Sequence, residues 1–201
     1  MRRIGDELRD RLRRAPVDAR GVREHLDGLS SAERIQAIRS LDRAAQRNLF
    51  EGVAGFLPLQ LTDLVPALVS NFEEVRHCGK NSLPVFTHFE KRFCRPRGAD
   101  PQRPEKLFGF NHQRLARFTG PGYFVATEDP RGREVRIDYA DVPDTRPENW
   151  PSIRDNESGL ASLVYGGMLD TLRRVSEHVT VGSAARRGRD LNSWFILCRE
   201  D

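Results

Sequence analysis

The end of the chain constrains its fold more than any other stretch. Two apolar segments, Val179–Ala184 and Trp194–Cys198, flank a polar loop holding Arg186, Arg187, Gly188, Arg189 and Asp190. Strand-length apolar runs about a glycine-bearing loop predict a hairpin, with Gly188 supplying a positive φ in the turn. In the last strand Trp194, Ile196 and Cys198 share one face, and Phe195 and Leu197 the other. A strand apolar on both faces is central, or is covered on its second side by helices. Trp194 is therefore expected to be buried.

Residues 1–70 read as a helical region. Ile4, Leu8 and Leu12 form one narrow apolar stripe in the charged segment 2–14. Ser30 and Glu33 have capping-box spacing, and Ile35, Ile38, Leu41, Ala45, Leu49 and Val53 then recur at intervals of three and four. A break near Ser40–Asp42 divides this into two helices, Gly52, Gly55 and Pro58 end it, and a short helix or turn starts near Thr62–Asp63.

Residues 71–201 read as an antiparallel β domain. Glu74–Lys80 is a strand, and so are Leu107–Phe110, Tyr123–Thr127 and Val135–Tyr139, the last with Val135, Ile137 and Tyr139 inward. Phe86, Phe89 and Phe93 fall at helical spacing and predict an inserted Phe-rich helix. Residues 95–105 and 141–158 are proline-rich loops, and the second is long enough to suggest a lid. Segment 160–178 fits a helix through Leu163, Val164, Met168, Leu169, Leu172 and Val175. Gly166-Gly167 argues against a straight one, and the local alternation favours a strand entering at Val164 or Met168.

Charge and cysteine content narrow the function classes. Of 33 basic residues, only Lys80, Lys91 and Lys106 are lysine, and the net charge of +4 gives no strong nucleic-acid signal. No run approaches the ~18 apolar residues of a membrane span. Three cysteines without a CxxC pair, and a start without an export signal, point to free thiols and a cytoplasmic location.

No pattern of His25, His77, His88, His112 and His178 has metal-ligand spacing, so no metal is expected, and no cofactor is implied. Neither a nucleophile elbow nor a phosphate or dinucleotide loop is present. Asn111-His112-Gln113 is the most polar interruption of the β region and a candidate ligand-contacting loop. Cys78, beside His77 and near Lys80, is the one thiol whose neighbours could depress its pKa. Catalytic residues are not assigned.

From Glu74 onward the order of features resembles small lipocalin-like (calycin-like) barrels of bacteria. The residues that carry this are Gly79-Lys80, the turn and aromatic strand at Gly120–Phe124, Met168/Leu169-Asp170 with Arg173, the strand Val179–Gly182, and the closing Trp194–Cys198. The resemblance covers roughly 107–201 and implies an antiparallel barrel with a cavity for a small apolar or amphipathic ligand.

The expected fold class is thus α+β: N-terminal helices followed by an antiparallel, strongly curved sheet or lipocalin-like barrel. The leading functional reading is a small-molecule binding protein. Its alternatives are an enzyme of isomerase, cyclase or hydrolase type in the same cavity, and an interaction module using the N-terminal helices. Expected ligand contacts are Tyr123 and Trp194 as walls, with His112, Arg174 or His178 as the polar group.

Overall fold

The computed structural model describes residues 4–13, 16–83, 87–112 and 120–201. Four helices lead: α1 (Ile4–Leu12), α2 (Ala19–Asp27), α3 (Ser31–Arg39) and α4 (Arg43–Gly52), followed by the single turn α5 (Leu61–Leu64). The capping box forms as the spacing requires, with the Glu33 carboxylate accepting from the Ser30 amide. Asp42 caps α4 through the Ala45 amide, which places the break at 40–42. Helix α2 carries only Val22 and Leu26 as buried apolar residues, too sparse a stripe to stand out in sequence.

Eight antiparallel strands close into a barrel in simple sequential order. They are β1 (Val75–Asn81), β2 (His88–Cys94), β3 (Leu107–His112), β4 (Tyr123–Glu128), β5 (Val135–Asp138), β6 (Met168–Arg174), β7 (Val179–Arg186) and β8 (Arg189–Arg199). Helix α6 (Gly159–Tyr165) precedes β6. The α+β architecture, N-terminal helices followed by a barrel, is as expected. The final hairpin turns on Arg187 and Gly188, both with positive φ, the geometry that matches strand twist.

One expectation is corrected. The Phe-rich segment is not a helix: Phe89 and Phe93 lie in β2, paired to β1 and β3, while Phe86 lies outside the described residues. A spacing of four satisfies one helical face and one strand face alike, and ladder pairing on both sides decides for the strand. Segment 160–178 contains the strand that its alternation favours, entering at Met168. It is α6 up to Tyr165, a turn at Gly166-Gly167, and then β6.

Period-two alternation sorts the barrel residues. Phe93, Leu107, Phe124, Ala126, Val135, Ile137, Leu172, Phe195 and Leu197 belong to one buried interior cluster. Leu59, Leu61, Leu64 and Val65 join it, so the α5 segment plugs the end of the barrel where β1 begins. On the outside, Val179, Val181, Ile196 and Cys198 pack under Leu8, Leu12, Leu26, Ile38, Leu41 and Leu49. The helices thus cover the second apolar face of the last hairpin, and their apolar stripes are engaged within the chain.

Glycines on the inward rows make room for the phenylalanines. A Cβ at Gly109 would sit 2.3 Å from the Phe124 ring and 2.7 Å from the Arg92 carbonyl. Gly109→Ala is therefore expected to destabilise the protein by about 1–3 kcal/mol through overpacking. Urea unfolding checks this, and an unchanged midpoint would show that the interior has slack there.

Candidate functional site

The lower barrel is filled by aromatic and aliphatic side chains, but the end opposite α5 is not. A cavity of about 420 Å³ opens there, walled by Phe89, Phe195, Met168, Val164, Tyr165 and Ala184. Its mouth carries Leu83, Leu163 and Leu191, all exposed. Helix α6 covers part of this end by stacking Tyr165 on Tyr139, with ring centroids 5.4 Å apart and planes 14° from parallel.

Four polar side chains converge among these walls: Lys91 from β2, Asn111 from β3, Tyr139 just after β5 and Asp170 from β6. Lys91 Nζ donates to Asn111 Oδ1 at 2.9 Å and to the Tyr139 hydroxyl, and lies 3.2 Å from Asp170 Oδ2. Asn111 Nδ2 donates to Tyr139 Oη at 3.0 Å, and Tyr139 Oη donates to Asp170 Oδ2 at 3.1 Å. The three ammonium protons and the phenol are thereby satisfied. Asp170 Oδ1 is buried and has no partner among the described residues. The Lys91 ammonium also lies 4.9 Å from the Phe124 ring centre and 5.1 Å from that of Phe195.

This setting moves all three ionisations. Burial pushes the Lys91 amine down, partly opposed by Asp170. Burial pushes the Asp170 carboxyl up, opposed by Lys91. Tyr139 rises well above the usual phenol range, through burial first and the Asp170 charge second. Desolvation therefore draws the amine and the acid toward one another, so a proton can pass between them at less cost than in water.

The structure does not bring the five anticipated ligand contacts together. Tyr123 faces outward, against Phe110 and Trp150, and its hydroxyl donates to the Pro151 carbonyl. Trp194 is buried, 7% exposed, and reaches the cavity rim, yet its ring lies beneath the guanidinium groups of Arg43 and Arg47 on the outer face. His112 is exposed at the end of β3, beside Trp150 in a separate surface hollow. Arg174 and His178 lie at the other end of the barrel, where Arg174 pairs with Asp63 at 2.8 Å and His178 with Asp201 at 2.9 Å. Of the polar loop 111–113, Asn111 enters the cavity and Gln113 lies outside the described residues.

Two further expectations change. The loop 141–158 is not a lid over the cavity: Trp150 packs on the outer face of β3 and β4, and Asn156 Nδ2 laces the loop to the Tyr123 and Tyr139 carbonyls. The Cys78 thiol is pushed up to about 12 by burial and by its bond to Glu200, which removes it as an activated nucleophile. All three cysteines are free and buried.

Sequence reasoning does not reach Lys91, Tyr139 and Asp170 as site residues, although the alternation of β5 points Tyr139 inward. The missing signal was Lys91, a charge at the centre of the inward row Phe89-Lys91-Phe93. No known protein-family model matches the chain, and no curated protein matches it. Among solved structures it is similar to one described as a surface lipoprotein, at 7% identity and a TM-score of 0.29. That likeness covers 66% of this chain and 62% of the other, so the chain spans under two thirds of that protein's length. Among the described residues no helix is long and apolar enough to cross a membrane.

Proposed function

We propose that the chain is a lipocalin-like binding protein that holds a small amphipathic molecule in the open end of its barrel. The apolar body lies against Phe89, Phe195, Met168 and Val164, and the polar end meets the Lys91–Asn111–Tyr139–Asp170 group. The observation that carries this reading is the cavity itself, with apolar walls above the buried Lys91–Asn111–Tyr139–Asp170 group. Apolar walls with a few convergent polar groups are the usual composition of small-molecule sites. Its three free thiols suit a reducing compartment such as the cytoplasm.

Binding of an eight-carbon series (octanol, octylamine, octanoate), followed by calorimetry, tests the reading. Octanol is expected to bind with a Kd below about 1 mM, equivalent to roughly 4 kcal/mol. Ala184→Phe, which fills the cavity from β7, should weaken it by at least about tenfold, or ~1.4 kcal/mol. Binding weaker than about 1 mM throughout the series, or binding indifferent to Ala184→Phe, overturns the site.

A further inference from the structure

We infer that Lys91 is a covalent anchor: its amine condenses with an aldehyde or ketone carbonyl on the bound molecule, forming an imine with Asp170 as counter-ion. This rests on the cavity being a ligand site and names the ligand's chemical class. An amine built only to bind an anionic head would point free donors at it. Here every Lys91 proton already has a partner inside the cluster, Asn111 Oδ1, Tyr139 Oη and Asp170 Oδ2. What the cluster offers instead is a proton acceptor in direct contact with the nitrogen.

The step balances within those residues. Asp170 Oδ2, 3.2 Å from Nζ, takes one proton from the ammonium and leaves a free amine. Its lone pair forms the C–N bond as the carbonyl π bond breaks, and the resulting alkoxide takes the proton from Asp170. The nitrogen then gives up a second proton through the same carboxylate. That proton turns the carbinolamine hydroxyl into water, and the C–O bond breaks as C=N forms. The product is a protonated imine beside an ionised Asp170, plus one water, with no oxidant or reductant required. The aromatic rings of Phe89, Phe124, Phe195 and Tyr139, 4.9–5.8 Å from Nζ, keep bulk water from hydrolysing the product. Burial of the amine and the acid, which draws their protonation equilibria together, works in the same direction.

The chain is convenient for a test because it has only three lysines. Lys80 donates to the Arg39 carbonyl away from the cavity, and Lys106 is exposed beyond the loop 95–105. The intact protein is incubated with octanal and sodium cyanoborohydride, digested and mapped by mass spectrometry, with octanol binding measured in parallel. Reductive trapping adds an octyl group, about 112 Da, and is expected on Lys91 ahead of Lys80, Lys106 and the amino terminus. It should be suppressed by excess octanol. If octanol binds but label appears only on the other amines, the covalent anchor is refuted and the binding site stands. If octanol does not bind and Lys91 stays unlabelled, both fail.

Discussion

Replacing Lys91 with Met is expected to cost about 3–5 kcal/mol, because it leaves Asp170 buried and uncompensated among aromatic side chains. The companion Lys91→Met/Asp170→Leu double variant should recover at least half of that loss. Removing both charges removes the desolvation penalty with them, and apolar replacements of buried ion pairs are often neutral or stabilising. Urea unfolding of the two single variants and the double variant completes a cycle whose coupling term belongs to the pair. A single-variant cost below 1 kcal/mol would mean that water reaches Asp170, and the dry polar floor would not exist. A barrel interior lined by Phe and Leu needs no ion pair to fold.

Much of the architecture was legible because it depends on patterns that survive without tertiary context. Glu33 three residues after Ser30, the polar loop before Trp194 and the alternation of Val135, Ile137 and Tyr139 each fix a local geometry; α3 and β5 form where expected, while the last hairpin is longer, with β8 starting at Arg189. The final hairpin also carried a non-local message. Its two apolar faces required both an interior and a cover, which the structure supplies as the barrel core and the N-terminal helices.

The site was far less legible, and one ambiguity explains most of this. Phe89 and Phe93 are four residues apart, a repeat shared by a helix face and a strand face. Read as a helix, the segment sends Lys91 to the solvent side; read as β2, it sends Lys91 inward between the two rings. Ladder partners on β1 and β3 resolve the choice, and they are far away in sequence. Tyr123 misled for a related reason. Large aromatics suggest cavity walls, but a closed barrel has two apolar surfaces wherever loops or helices cover it, and the Tyr123 ring sits on the outer one. Shifting one position along the strand, to Phe124, reaches the interior.

Acid should destabilise the closed end of the barrel through His77, and the sign follows from its surroundings. The ring is fully buried on the inward face of β1, edge-on to Phe93 at 4.9 Å, with Nε2 2.9 Å from the Leu64 carbonyl. Because a carbonyl can only accept, Nε2 carries the proton of the neutral ring, and Nδ1 is buried without a partner among the described residues. Burial, opposed by the Leu64 bond and helped by Arg199 and His178, lowers the folded pKa from 6.5 to about 3. A folded pKa below the unfolded one means that the unfolded chain binds the proton first. The associated stability is intact above about pH 6.5 and falls as pH drops toward about 3, by roughly 5 kcal/mol across the whole window and about 2 kcal/mol by pH 5. His77→Gln keeps a donor for the Leu64 carbonyl and does not titrate. Carboxylates and the other histidines contribute equally to both proteins, so the difference in urea stability between pH 7 and pH 5 isolates His77. The wild-type loss should exceed that of the variant by about 2 kcal/mol. Equal losses would mean that His77 takes up its proton in the folded barrel, and that the α5 plug over it admits water.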